Sequence, residues 1–254
     1  MSELSLHQRI LNAAASQEVE NVKARHTYLH GRADATGEWA EIWCMDENCS
    51  WAHAFGRMRG GDQVWWGSVA QYDKMCFENW LEISERYPEV TGKDPRPLME
   101  ASVHTLVTDV IEVAEDGKSA RGSFITPGVI HSRLTDDGRP YCNVLWERYG
   151  SDFVLVDGEW KYLHEHVCPD ILTRMDCFDW AHGEYMRMTD PNPKAMEPPT
   201  LGAPPPVTDP GPMHMPYSLL DKPQNTVPWP EPYKTLDNDN TYTSLVVKKD
   251  YCNL

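Results

Sequence analysis

Three Asp-Gly pairs, Asp116-Gly117, Asp137-Gly138 and Asp157-Gly158, punctuate the second half of the chain at intervals of 21 and 20 residues. They separate four runs rich in apolar and β-branched residues, at about 101–113, 119–133, 141–156 and 159–167. Aspartate and glycine both tolerate positive φ, so the pair suits the tight turns whose twist matches that of a hairpin. Three in succession predict an antiparallel meander. The middle runs exceed the usual strand length, so a bend or bulge is expected, with Thr126-Pro127-Gly128 its natural place.

The first half has a different period. Ser5 and Gln8 fit a capping box. After them Val19, Val22, His26 and Leu29 step by 3, 4 and 3, a helical stripe with Gly31 as its stop. Trp39, Ile42 and Trp43 make a shorter helical patch. Ser68 and Gln71 form a second capping box, and the apolar spacing from Val69 to Tyr87 is helical until Pro88. Helices followed by a long meander predict an α+β fold. Its curved antiparallel sheet carries the N-terminal helices on the concave face.

Fourteen of the 20 prolines lie between Pro191 and Pro232. Proline lacks the N–H and fixes φ, which excludes helix and central strand there. The stretch still carries Met213, Met215, Tyr217, Leu219, Leu220, Trp229 and Tyr233. It is expected to be an extended arm, residues 190–254, packed on its own domain (residues 1–189) or on a neighbouring subunit. The outer face of such a sheet needs cover, so a homo-oligomer, dimer or trimer, is expected.

Composition excludes several partners. With 39 acidic residues against 23 basic ones, the net charge is −16, which repels nucleic acid and anionic lipid. No apolar run approaches the ~20 residues needed to span a bilayer. Met1 to Gln8 has no basic segment followed by an apolar one, so no secretory signal is expected. The seven cysteines form no Cys-x-x-Cys pair and read as reduced thiols of a cytoplasmic protein.

Nucleotide-binding glycine motifs, the nucleophile elbow and the His-Glu-x-x-His zinc motif are all missing from the sequence. Any chemistry therefore falls to the chain's own side chains, and no cofactor is expected. Strand alternation predicts Trp160, Tyr162, His164 and His166 on one face of the last strand, with Lys161, Leu163, Glu165 and Val167 on the other. The first set has the makings of a pocket wall that also moves protons. Two histidines on one face could bind a metal only with a third ligand such as His104 or His131, and no metal is expected. His104 and His131 lie in adjacent strand runs; each is either a core histidine or one that meets the other inside a single cavity. Tyr28 and Asp34 bracket the end of the first helix, where a tyrosine can bond a substrate oxygen and an aspartate can act as base or orient a histidine. Trp43 and Trp146, from a heavy tryptophan load, could line a pocket for a flat ligand. His53, Arg148, Tyr162 and His164 complete the candidate lining.

Three segments carry a resemblance. Asp157-Gly158-Glu159-Trp160-Lys161-Tyr162-Leu163-His164 ends the meander, Ile111-Glu112-Val113 through Gly117-Lys118-Ser119-Ala120-Arg121-Gly122 forms a hairpin, and Trp146-Glu147-Arg148-Tyr149-Gly150-Ser151-Asp152-Phe153 precedes the final turn. Together with the leading helix, this pattern resembles the SnoaL-like branch of the nuclear-transport-factor-2-like superfamily over roughly residues 3–185. The resemblance implies a cone-shaped barrel. That scaffold hosts scytalone-type and bile-acid dehydratases, ketosteroid isomerases, polyketide cyclases and γ-formaldehyde lyases of lignin-derived diaryl compounds, so fold alone does not select among them. Dehydratase-like members use a tyrosine on the first helix, an aspartate just after it and a histidine on the first long strand, and Tyr28, Asp34 and His104 occupy similar places. His131 is similar to the second histidine of scytalone-type enzymes. The long proline-rich arm is more like the larger lyases. The resemblance implies a cofactor-independent lyase that eliminates water or formaldehyde from a hydroxylated aromatic compound by histidine and tyrosine acid–base catalysis. A steroid- or polyketide-type isomerase or cyclase, or a non-catalytic small-ligand-binding module, is the alternative.

Overall fold

The computed structural model describes residues 4–30, 41–53, 56–65, 85, 88, 103–134, 140–174, 209, 211, 212, 214, 217, 222–244 and 251. For residues 30, 104, 130–134, 140, 141 and 172–174 it describes the backbone alone. Helix α1 spans Leu6–His30. The Gln8 amide donates to Ser5 Oγ at 3.2 Å, satisfying one of the free N–H groups of the first turn. Val19, Val22, His26 and Leu29 are buried in the order the stripe predicts, and Lys23 is buried with them. Of the helix expected at 68–87 only residue 85 is described, and the Asp137-Gly138 turn lies outside the described residues.

Among the described residues seven strands come after it: β1 (Ser50–His53), β2 (Gly56–Arg59), β3 (Val103–His104), β4 (Val107–Val113), β5 (Ser119–Leu134), β6 (Pro140–Val156) and β7 (Glu159–Arg174), with a short helix α2 (Gly61–Trp65) after β2. They form one curved, open sheet in the order β2-β1-β7-β6-β5-β3, with β4 also paired to β5. The meander β4 to β7 is antiparallel, as the Asp-Gly spacing predicts. The turn at Asp157-Gly158 has φ of 52° and 83° at its two central residues, a conformation this pair favours.

Two features differ from the expectation of a purely antiparallel sheet with its bend at Thr126-Pro127-Gly128. First, the β1–β2 hairpin, which the sequence pattern did not reveal, adds to the far side, and β1 runs parallel to β7; the sheet is mixed. Second, the β5–β6 ladder is unbroken through Thr126↔Glu147, Pro127↔Trp146 and Gly128↔Leu145. Its own irregularity falls further along, between Ile130 and Arg133, β4–β5 has one between Val107 and Val110, and β6–β7 has two, the first between Trp146 and Glu147 and the second between Asp152 and Phe153. Pro127, with no N–H to give, marks where β5 changes neighbour: β4 pairs it up to Ile125, and β3 takes over at Gly128. Thr105 bridges the gap, donating its amide and hydroxyl to the Pro127 carbonyl at 3.2 and 2.9 Å.

The second irregularity reorganises β7. Asp152 pairs with His164 and Phe153 with Tyr162, which leaves Leu163 as the extra residue of a bulge. Alternation resets there. Trp160, Tyr162 and Val167 pack in one core cluster with α1 and Trp43, whereas Leu163 packs with Val154, Leu236 and Tyr251. The predicted shared face of Tyr162, His164 and His166 is therefore corrected: the bulge places Tyr162 and Glu165 beneath α1 and turns His164 to the opposite face.

Residues 222–244 meet that opposite face. The rings of Tyr233 and Tyr242 flank the Arg121 guanidinium at 5.3 and 6.0 Å, and Arg121 reaches Asp152 at 3.1 Å. The Tyr242 amide donates to Asp152 Oδ2 at 2.8 Å. Gly150 lies under the Tyr242 ring, which would collide with any Cβ at that position.

Candidate active site

The face beneath α1 is lined by Trp43, Phe124, Tyr149, Phe153 and Tyr162, yet charged groups stand among them. Lys23 Nζ donates to Glu165 Oε1 at 2.5 Å, and both side chains are 0% exposed. Ser151 Oγ donates to the same oxygen at 3.3 Å. The Lys23 ammonium also lies 3.7 Å from the centroid of the Tyr149 ring, a cation–π contact. The Tyr149 hydroxyl in turn donates to Glu147 Oε2 at 2.6 Å. His53 Nε2 stands 4.0 Å from Glu147 Oε1, and His26 Nδ1 stands 4.0 Å from Glu165 Oε2. The group thus runs from a sealed end, Lys23 and Glu165, to an end that keeps some contact with solvent: the side chains of Glu147 and His53 are 5% and 11% exposed.

Burial sets the electrostatics. It raises the Glu147 carboxyl to about 7, against the Tyr149 hydrogen bond and the Lys23 charge, which both favour ionisation. It lowers the Lys23 ammonium, opposed by Glu165. His53 is pushed down to about 3 by burial, with the charges of His166 and His214 adding to the effect. The Tyr162 hydroxyl rises well above its ordinary range, from burial and then from Glu165. At neutral pH, Glu147 can therefore give or take a proton beside a neutral imidazole, in surroundings that exclude most water.

The residues singled out from sequence scatter. Trp43 and Tyr162 lie beneath α1 with rings stacked at 5.0 Å, and His53 stacks on Trp51 at 5.2 Å. Tyr28 does not join them. It is 74% exposed, because it follows His26 by two positions and so lies about 200° further round the helix. His164 is on the other face, its Nδ1 2.7 Å from Ser50 Oγ, which lies 2.6 Å from Thr243 Oγ1. Arg148 alternates away from Glu147 and Tyr149 and binds Asp170 at 2.7 Å, and Trp146, on the same side of β6, is 44% exposed. Asp34 lies outside the described residues. The backbone of His104 pairs with Gly128, and that of His131 lies in the irregular stretch of β5 between Ile130 and Arg133; for both, the backbone alone is described.

Lys23, Glu147, Tyr149 and Glu165 were not singled out from sequence. A signal for two of them existed. Lys23 sits four residues after Val19, within the apolar stripe, and Glu147 alternates between Leu145 and Tyr149, both inward-facing. Glu165 was hidden by the Leu163 bulge, which no composition cue announces.

No family model matches the chain, and no curated protein is significantly similar to it. Among solved structures it is similar to a candidate scytalone dehydratase from Novosphingobium aromaticivorans, with 18% identity, a TM-score of 0.44, and coverage of 65% of this chain and 90% of that one. It is also similar to the hexachlorocyclohexane dehydrochlorinase LinA-type3 from Novosphingobium barchaimii, at 14% identity and a TM-score of 0.45, covering 68% and 97%. A nuclear transport factor 2-like superfamily protein from Salmonella enterica matches at 17% identity and a TM-score of 0.41, covering 62% and 92%. Likenesses this distant assign no activity or substrate to the chain.

Proposed function

We propose that this protein is a cofactor-independent lyase, which eliminates water or formaldehyde from a hydroxylated aromatic compound of the lignin-derived diaryl type. The observation that carries the reading is the buried group beneath α1: an ionisable carboxyl, Glu147, hydrogen-bonded to Tyr149 and near His53, on a face otherwise lined with aromatic rings. Elimination needs a base, an acid for the departing oxygen and a dry apolar setting. In dehydration, the Glu147 carboxylate takes a proton from the carbon next to the carbinol, the C–O bond breaks, and the oxygen leaves as water with a proton from an acid. In loss of formaldehyde, the base takes the hydroxyl proton of a hydroxymethyl group, the C–C bond breaks to release formaldehyde, its electron pair forms the new C=C bond, and the benzylic hydroxyl leaves as water with a proton from an acid. His104 and His131 are the proposed acids, and Trp43 and Tyr162, packed beneath α1, the proposed aromatic backing of the site. The proposal extends to a domain at residues 1–189, an arm at 190–254, and a homo-oligomer working in the cytoplasm.

The test is mass spectrometry of the full chain incubated, with no added cofactor, with hydroxylated diaryl propanes and related phenolic alcohols. Products lighter by water, or by water and formaldehyde together, are expected. Glu147→Gln should slow turnover at least about 10²-fold, the usual contribution of a positioned base. A panel that yields only products of unchanged mass, or unimpaired turnover by Glu147→Gln, overturns the reading.

A further inference from the structure

The groups facing Glu147 come from every element around it: Tyr149 on its own strand, Lys23 on α1, Glu165 and Asp170 on β7, and His53 on β1. Of these, Lys23 and Glu165 are fully sealed and touch no solvent, so neither can meet a substrate directly. A lysine buried in an apolar stripe is nevertheless expensive to keep. Its geometry shows what it contacts. Nζ binds Glu165 at 2.5 Å and faces the Tyr149 ring at 3.7 Å, with the Phe124 and Tyr162 rings at 5.2 and 5.5 Å. A cation over a phenol ring draws electron density from it and makes the hydroxyl a better donor, and that hydroxyl donates to Glu147.

We propose that Lys23 and Glu165 are positioning residues for Glu147: Glu165 holds the ammonium against the Tyr149 ring, and the ammonium holds and polarises the hydroxyl that donates to the Glu147 carboxylate. This inference rests on the reading of Glu147 as the reacting carboxyl, but its test does not need turnover. The Glu147 carboxyl is followed in the full chain by carbon-13 NMR of glutamate-labelled protein across pH, its signal assigned by its loss in Glu147→Gln.

The two charges act in opposite directions on Glu147. Lys23→Met removes the favourable charge and leaves Glu165 buried, so the Glu147 midpoint should rise by about one pH unit. Glu165→Gln removes the like charge but keeps an amide oxygen to accept from Lys23 Nζ, so the ammonium stays over the Tyr149 ring and the midpoint should fall by a similar amount. The double variant Lys23→Met/Glu165→Gln removes both charges, should fold even where Lys23→Met does not, and should lie between the two single variants. A midpoint that stays put in Glu165→Gln and in the double variant, or that moves the same way in both single variants, overturns the proposal. If the midpoints move as expected while no diaryl substrate is converted, the positioning network stands and the lyase reading alone fails.

Discussion

Replacing Glu147 with glutamine should stabilise the protein above neutral pH, the reverse of the usual result for a buried hydrogen-bonded residue. The carboxyl sits at about 7 in the fold against an ordinary 4.5. Between those values the folded chain holds a proton that the unfolded chain has released, so stability falls as pH rises from 4.5 to 7. Above 7 the penalty is complete. A gap of that size corresponds to about 3 kcal/mol. Glutamine keeps the shape and an oxygen for the Tyr149 hydroxyl, and it does not titrate. At pH 8.5, Glu147→Gln should therefore exceed the wild type by about 3 kcal/mol, or about 6–12 °C in melting temperature for a chain of this size. At pH 4.5 the two should melt together. Circular dichroism melts of both proteins from pH 4.5 to 9 isolate this group, because every other titration is common to both. A difference that does not grow with pH, or a variant that is less stable at pH 8.5, refutes the assignment of Glu147 as a carboxyl strained by burial.

Other consequences can be measured directly. Tyr28→Phe should turn substrate over within about twofold of wild type, since an exposed hydroxyl contributes no positioned acid or base; a loss above tenfold would restore the role that the family resemblance implies. Burial holds His164 at about 3, so the unfolded chain protonates first as pH falls below 6.5 and stability drops with it. His164→Gln should remove about 2 kcal/mol of the stability lost between pH 7 and 5, measured by urea unfolding at both values. Gly150→Ala should drive a methyl group into the Tyr242 ring and cost about 1–3 kcal/mol, with residues 222–244 becoming more sensitive to protease. Equal melting and equal digestion would show that this segment is not seated on Gly150.

Periodicity and turn chemistry are local, and the elements they govern were legible. The α1 stripe, the Ser5 cap and the strands on either side of Asp116-Gly117 and Asp157-Gly158 arise from spacing a few residues long. The pairing of β1 with β7 was not legible. It joins Ser50 to His164 across the whole meander, and a four-residue strand has too little pattern to announce it. The candidate site depended on a still smaller event. One extra residue, Leu163, reversed the facing of the later residues of β7 and exchanged Glu165 for His164 beneath α1. Histidine drew attention because it titrates near neutrality by itself; Glu147 does so only because the fold removes water from it.

The contact between Ser50 and Thr243 has a temporal side. A ribosome delivers the serine 193 residues before its partner. The meander can close its hairpins as it emerges, but His164, Asp152 and Leu163 keep an uncovered flank until residues 236–251 have left the exit tunnel. Contacts of such wide separation form late and slowly, and half-finished chains with open apolar flanks are the ones that aggregate or engage chaperones. A nonsense mutation between residues 174 and 222 would therefore release a sheet that has folded its hairpins and lacks the segment that covers one of its faces.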